Sequence, residues 1–469
     1  IYDLVNGNWK QESRASAPFV NSTTLEEVQI GPKVTFVYNH LCDDCDKLTS
    51  VLFPVGIQTI GGYAFKGCDK LASITFEESS DHSLSIETAA FKSCVALEDI
   101  TYPGQLSVLG SSAYQGCENL KSVIFNKNEQ YQPALSIGDY TFAKCPLITE
   151  LSFPGRLTSI GSFTFASCIS LSNVSFEDSN TAVKLGNGAS SLENSLKYDE
   201  KLPLFGNSNL TSLYIGRNID YETVEAKGYS PFYKQQFLTD IRFSQAGTVT
   251  YCKDYLLYKV NNCESLILPE SLTSIGNWTF RGMSKLGRIV IPNAVTTIGE
   301  YTFADDSALE SAKLSTSCAW LQQGLFSECG KLQAITIPTV VTKMDTQMFT
   351  NCKSLITATF EDGTDLIEMG YGASNKEYGL FRDCPVETLY LGRRLSYNTD
   401  ASYHSPFYSI AELKNLTLGK DLKVVDKYMF SYCTGLENLY IPDNITSVNM
   451  WGFRGCTSLK SVRFSEALS

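Results

Sequence analysis

The chain has 469 residues, 43% of them hydrophobic, with 38 Lys and Arg against 50 Asp and Glu for a net charge of −12. That hydrophobic fraction is ordinary for a folded protein and sets disorder aside. The acidic balance argues against a nucleic-acid binder, which needs a basic face to displace counterions, and disfavours anionic membrane surfaces. No run of about 18 apolar residues exists, so no helical membrane span is expected. Ile1 to Lys10 lack the basic start and apolar middle of a secretory leader. Ser16-Ala17-Pro18-Phe19 with Leu25 matches the tail of a coil that returns at Ser230-Pro231-Phe232 with Leu238 and at Ser405-Pro406-Phe407 with Leu413. Any export signal or anchor is therefore expected upstream of Ile1.

From Leu48 the chain settles into a unit that comes round repeatedly. Leu48-Thr49-Ser50-Val51-Leu52-Phe53-Pro54 is apolar at its first, fourth and sixth places. The alternation of Val51 and Phe53 is the period of a half-buried strand, and Pro54, without an N–H, ends its pairing. A second apolar step follows at Ile57 and Ile60, then Gly61 for a turn. Tyr63-Ala64-Phe65-Lys66-Gly67-Cys68 predicts one helical or 3₁₀ turn, with Phe65 and Cys68 on one side. Leu71 opens the next copy.

Strand positions recur as Leu71/Ile74/Phe76, Leu97/Ile100/Tyr102, Leu120/Val123/Phe125 and Leu171/Val174/Phe176, and later as Leu286/Ile289/Ile291, Leu332/Ile335/Ile337, Leu436/Leu439/Ile441 and Leu459/Val462/Phe464. Phe280, Phe303, Phe326 and Phe349 follow at intervals of 23 residues. A fixed period in the twenties predicts a solenoid whose coils each bury apolar surface on their neighbours. Counting the Phe position gives about 18 coils of about 23 residues in one continuous solenoid over 1–469. Stacked parallel strands about 4.8 Å apart would line one face, with the short helical turns on the other.

Two longer coils interrupt the period, with polar insertions at about 177–202 and 361–378. They match each other. Leu185-Gly186-Asn187-Gly188-Ala189-Ser190 parallels Met369-Gly370-Tyr371-Gly372-Ala373-Ser374, and Leu213-Tyr214-Ile215-Gly216-Arg217 parallels Leu389-Tyr390-Leu391-Gly392-Arg393. The Ser-Pro-Phe-Tyr coil follows in both. A block of several coils was duplicated as a unit, and the Ser-x-Pro-Phe near residue 19 marks a truncated third copy.

The Leu-x-x-Val-x-Ile-Pro strand, the Ile-Gly turn and the Ala-Phe-x-x-Cys-x-x-Leu close resemble the BspA-like class of leucine-rich repeats over nearly the whole chain. The resemblance implies a right-handed α/β repeat solenoid in a secreted or cell-surface protein of anaerobic mucosal bacteria or protozoan parasites. It also implies adhesin-like binding of host extracellular or mucosal proteins or of microbial surface molecules. No enzyme activity, cofactor or metal is expected, and a monomer is. The chain departs from the pattern at Cys42 and Val260 in the Phe place, and at Met283 and Asp306 in the Cys place.

Four groups of residues stand out, each with a plainer reading beside it. Most of the 15 cysteines occupy the closing place of a coil. Met283 fills that place without any disulfide chemistry, so a small apolar side chain packing the turn outweighs metal or disulfide roles. Cys42-Asp43-Asp44-Cys45 has no second pair or spaced His to complete a zinc site. An aromatic stripe of Tyr63, Tyr140, Phe163, Trp278, Tyr301, Tyr428 and Trp451 could stack on ligands, but ring-on-ring packing between coils is the favoured reading. Glu177-Asp178 and Glu361-Asp362 read as solvated turns ahead of a cation site. The outward strand positions, rich in Ser and Thr with occasional Tyr and Arg, suit either a soluble sheet or a protein-binding face. There Tyr214, Tyr390, Tyr440, Arg242 and Arg463 are the candidate partner-contacting residues, with Tyr214 and Tyr390 foremost.

His40, His82 and His404 recur with no fixed Ser or Cys partner, and no phosphate loop or hydrolase motif is present. Six N-x-S/T sequons, such as Asn209-Leu210-Thr211 and Asn415-Leu416-Thr417, fall mostly on the repeat. The alternative to an interaction protein is a spacer that presents another domain.

Overall fold

The computed structural model describes residues 14–79, 81–186, 203–206, 208–222, 230–370 and 380–465. It forms a parallel β-solenoid of about 17 turns, near the count expected from the Phe positions. The turns divide between two compact units, Ile1–Asp240 and Ile241–Ser469.

In the first unit the predicted strands form as read. Ser50–Phe53 alternates outward and inward, with Val51 and Phe53 buried. It pairs in register with Ser73–Phe76, so Val51 lies beside Ile74 and Phe53 beside Phe76. Glu150–Phe153, Asn173–Phe176 and Ser212–Ile215 pair in the same way. In the second unit Arg288–Val290, Ser311–Lys313, Ala334–Ile337, Thr357–Phe360, Thr388–Leu391 and Asn415–Leu418 form one parallel sheet, and Asn438–Ile441 pairs with Ser461–Phe464.

The second apolar step builds a sheet of its own. In the first unit an eight-stranded parallel sheet runs from Phe36–Val37 through Thr59–Ile60 and Leu84–Ile86 to Val183–Leu185 and Ile219–Tyr221. In the second unit Trp320–Leu321, Lys343–Met344, Ile367–Met369 and Leu395–Ser396 do the same. The two polar stretches therefore begin as ordinary coil. Val183–Leu185 and Ile367–Met369 are paired strands, and the remaining stretches 187–202 and 371–379 lie outside the described residues.

The closing segment corrects the expected helical turn. Among the described residues helix is confined to two 3₁₀ turns, Arg14–Ser16 and Ser402–His404. Tyr63 to Cys68 is instead a chain of β-turns. The N–H groups of Ala64, Lys66 and Cys68 bond back three residues to Gly61, Tyr63 and Phe65. The alternate N–H groups of Tyr63, Phe65 and Gly67 donate to the carbonyls of Thr88, Ala90 and Lys92 in the next coil. Turning every second N–H toward a neighbour requires left-handed backbone at Tyr63 (φ 59°) and Gly67 (φ 67°), which an α-helix forbids. The requirement repeats at Trp278 and Gly282, and at Trp451 and Gly455. Inter-coil hydrogen bonding thus continues past the sheets into the turns.

Side chains follow the same translation. Phe65, Phe91 and Tyr114 stack at 5.4 and 5.3 Å. In the second unit Phe280, Phe303, Phe326 and Phe349 stack at 5.5, 5.6 and 6.1 Å with nearly parallel planes. Each pair contributes about 1 kcal/mol beyond its area burial. The departures Cys42, Val260, Met283 and Asp306 are all fully buried, as the residues they replace would be. Phe303→Ala, which removes a ring stacked on both sides, should destabilise the second unit by about 4 kcal/mol, and Phe303→Leu by distinctly less, in urea unfolding followed by circular dichroism.

Candidate interaction face

Strand register decides which outward side chains meet. In the first unit Ser152, Ser175 and Tyr214 share one column, and the hydroxyls of Ser175 and Ser152 are hydrogen-bonded at 2.9 Å. In the second unit Thr336, Thr359, Tyr390 and Thr417 share one. Tyr440 lies directly beside Arg463. Arg242 is exposed on strand Asp240–Phe243.

Tyr214 and Tyr390 turn out to be half-buried and already engaged. The Tyr214 hydroxyl donates to Asp178 Oδ1 at 2.7 Å, and that of Tyr390 donates to Asp362 Oδ1 at 2.8 Å. Burial first, then the bond to Asp362, pushes the Tyr390 phenol up to about 12. The carboxylates read as solvated turns therefore have structural partners. Glu361 likewise accepts the backbone N–H and hydroxyl of Thr339 at 3.0 Å each, and Glu177 accepts the Gly155 N–H at 3.1 Å. Each Tyr fixes the root of the polar stretch in its block.

The residues after these tyrosines complete the device. A Cβ at Gly216 would lie 2.3 Å from the Phe176 carbonyl oxygen, and one at Gly392 2.5 Å from the Asp362 nitrogen, so only glycine permits the strand to pass. Arg217 and Arg393 then run beneath the sheet, with no exposed surface. Arg217 donates to the carbonyls of Leu157 at 2.8 Å, Pro154 at 3.0 Å and Glu177 at 2.9 Å. Arg393 donates to Thr339 and Pro338 carbonyls at 2.5 and 2.6 Å. Burial lowers the guanidinium pKa of both, while the nearby carboxylates Glu177 and Glu361 offset part of that. Sequence reading missed these arginines. Their signal was a cation at the same place in both blocks, one residue past the position where other coils carry Pro.

Tyr440 and Arg463 differ. Tyr440 is 52% exposed and stands on an open strand surface between Asn438 and the buried Ile441. Trp320, which the sequence reading passed over, is a second prominent ring. It is 45% exposed on the second sheet, its Nε1 donates to Asp345 Oδ2 at 2.9 Å, and Lys343 Nζ lies 4.0 Å over its centroid. The aromatic stripe does pack on itself. Tyr140 stacks on Phe163 at 4.9 Å, Trp278 on Tyr301 at 5.2 Å and Tyr428 on Trp451 at 4.9 Å. Arg281 covers Trp278 at 3.9 Å. The rings of the stripe therefore pack against rings and cations of neighbouring coils, with the Trp278–Tyr301 pair tilted by 44°.

Most of the closing-place cysteines share one geometry, whereas Cys263 and Cys318 donate instead to the carbonyls of Ser265 and Trp320. Cys94 donates to the Phe65 carbonyl at 3.1 Å, Cys168 to Phe142 at 3.1 Å, Cys329 to Phe303 at 3.0 Å and Cys352 to Phe326 at 3.1 Å, always the Phe place of the preceding coil. Burial pushes the thiols of Cys68 and Cys168 up to about 12, which suppresses the nucleophilic thiolate. Cys384 and Cys456 are the two that solvent reaches in part. Among the described residues no three His, Cys, Asp or Glu side chains are grouped to hold a metal. His82 builds no relay. His82 Nδ1 faces both Ser79 Oγ at 3.0 Å and Asp81 Oδ1 at 2.6 Å, whereas a relay needs them on opposite ring nitrogens. His40 is bound to Asp43 at 2.7 Å, which also takes Arg14 at 2.8 Å and Lys66 at 3.2 Å.

The model of the BspA type leucine rich repeat region, in six copies, matches overlapping segments 13–132, 84–198, 135–261, 250–377 and 378–469. The chain belongs to the BspA-type leucine-rich-repeat family. Among solved structures, this family member is similar to a leucine-rich repeat protein of Bacteroides ovatus at 18% identity over 94% of this chain and 84% of that one, with a TM-score of 0.38. A leucine rich cell surface protein of Faecalibacterium prausnitzii is 17% identical over 94% and 89%, TM-score 0.30. The pneumococcal vaccine antigen PcpA is 16% identical over 93% and 88%, TM-score 0.29. No curated protein matches the chain by sequence. No helix among the described residues is long and apolar enough to cross a membrane.

Arg217→Met should cost about 3 kcal/mol in chemical denaturation, because it removes the guanidinium hydrogen bonds to the Leu157, Pro154 and Glu177 carbonyls. Maleimide labelling of the native chain should modify Cys384 and Cys456 first, with the fully buried thiols reacting only after denaturant is added.

Proposed function

We propose that this chain is a non-enzymatic, adhesin-like interaction protein, working at the cell surface or secreted, that grips other proteins or glycans through the outward face of the strands that open its coils and through the polar insertions at about 177–202 and 361–378, most of which lie outside the described residues. Host extracellular or mucosal proteins and microbial surface molecules are its partners in this reading. The supporting observation is the exposed Tyr440 standing in register with the exposed Arg463 on an extended, hydroxyl-rich strand surface. Tyr and Arg supply large contact area and directional donors at modest entropic cost, and they dominate binding hot spots. The outward Thr column beside them adds many weak contacts, so affinity would come from a broad surface and no deep pocket. Tyr214 and Tyr390 hold the loop roots in place, and their contribution to binding is through that positioning.

The test is a pull-down against a panel of extracellular-matrix and mucosal proteins, followed by affinity measurement on whatever is retained. Tyr440→Ala/Arg463→Ala should weaken binding about thirtyfold with an unchanged circular-dichroism spectrum. Tyr214→Ala/Tyr390→Ala should chiefly lower the unfolding midpoint. Full retention of affinity by the first double variant would overturn the assignment. A wild-type chain that captures none of the panel would favour the spacer.

A further inference from the structure

Asp306 occupies the closing place of its coil, where most coils carry Cys. Its side chain has no exposed surface. Oδ1 accepts the Met283 N–H at 2.8 Å. Oδ2 is buried and has no hydrogen-bond partner among the described residues. A buried carboxylate oxygen left without a donor costs several kcal/mol, so the ionised form is poorly served here.

Most of the column makes one contact from this place. Cys329 donates to the Phe303 carbonyl at 3.0 Å, Cys352 to Phe326 at 3.1 Å and Cys433 to Phe407 at 3.3 Å. At most closing places the side chain thus donates to the Phe carbonyl one coil back, whereas Met283 fills the place without donating and Cys263 donates to the Ser265 carbonyl instead. For Asp306 the Phe carbonyl one coil back belongs to Phe280. A carboxylate cannot donate, whereas a carboxylic acid donates through one oxygen and accepts through the other.

The charged and titratable surroundings agree. Asp305 is next in sequence, and its carboxylate is held by Arg281 at 2.6 Å. Arg281 is thus the neighbouring cation, and it is already engaged. Gly282 and Met283 of the preceding coil offer backbone N–H groups, and the following coil brings the buried Cys329 thiol with Glu328 beside it. Burial dominates and raises the Asp306 pKa well above the ordinary carboxylate range, with Asp305 adding to the rise and the two N–H groups and Arg281 opposing it.

We propose that Asp306 is held at neutral pH as a neutral carboxylic acid, its Oδ2–H donating to the Phe280 carbonyl, and that this proton acts as a latch on the coils from Met283 to Cys329. The folded chain therefore binds a proton that the unfolded chain releases near the ordinary Asp value. Stability from this group is fully present below the unfolded value of about 4 and is lost as pH rises toward the folded one. Over that window each pH unit lowers the folding equilibrium constant about tenfold relative to a chain lacking the acid.

The experiment compares wild type, Asp306→Asn and Asp306→Cys by urea unfolding from pH 4 to pH 8. Three of the four tryptophans, Trp278, Trp320 and Trp451, report on this unit by fluorescence. Asn keeps the Oδ1 acceptor and supplies a donor that does not titrate, and Cys restores the usual residue. The stability gap between each variant and wild type should widen with pH in the variants' favour, by at least a hundredfold in folding equilibrium between pH 4 and pH 7. Isotope-edited infrared difference spectra at pH 7 should show a protonated carboxyl C=O band in wild type that Asp306→Asn lacks. A gap independent of pH, a gap that widens toward acid, or a missing protonated band would each overturn the proposal. Should the Asn variant fail to fold, the Cys variant and the infrared measurement decide the matter alone.

Discussion

Backbone hydrogen bonding from each coil to the equivalent place in its neighbour is the constraint on which the structure rests. It runs through two sheets and continues around the closing turns, where alternate N–H groups such as those of Phe65 and Gly67 reach Ala90 and Lys92 of the next coil. Once those bonds are made, every side chain is set beside its own counterpart about one strand spacing away. Stacked rings, stacked thiols and columns of hydroxyls are consequences of that translation. So is the left-handed backbone at Tyr63 and Trp278, a conformation bulky residues avoid unless the surroundings hold them there. The inter-coil hydrogen bonds of Tyr63 to Thr88 and of Trp278 to Glu300 supply that hold, and Ala89 and Ser112 keep the same backbone at this place without a ring.

The same translation makes exceptions informative. A position that repeats many times states what its environment demands, and a residue that cannot meet the demand in the usual way must meet it differently. Most closing places hold a small buried thiol that donates weakly to a Phe carbonyl at no electrostatic cost, and Met283 fills one with an apolar side chain. Asp306 fits only if it carries a proton. Tyr214 and Tyr390 are exceptions of another kind. They break the run of small hydroxyl residues along their columns because each block has a polar stretch to anchor, and Asp178 and Asp362 receive their hydroxyls. Arg217 and Arg393 secure the same roots from beneath by donating to backbone carbonyls of earlier coils.

The proposed interaction surface and the scaffold separate along this line. Phe, Cys, Ile-Gly and the buried arginines hold coil to coil. What varies without disturbing them is the outward face of the strands, where Tyr440 and Arg463 stand open to solvent, and the pinned Trp320 on the second sheet. A surface of this type is broad and shallow, and it tolerates change because outward strand positions contribute little to folding.

The sequence by itself determined the solenoid, the strand positions, the parallel stacking and the duplication, because a repeat constrained at every coil writes its period into the chain. It also identified the plain role of the cysteines, since Met283 fills their place. Tertiary structure alone decided the rest. Half of the closing segment's N–H groups point to another coil, which replaces the expected helical turn with β-turns and cannot be read from Tyr63–Cys68 in isolation. Whether Tyr390 faces a partner or Asp362 depends on where a residue 28 positions away is brought by the fold. The protonated state inferred for Asp306 likewise depends on its full burial and on Arg281 already being engaged by Asp305, and both are properties of packing.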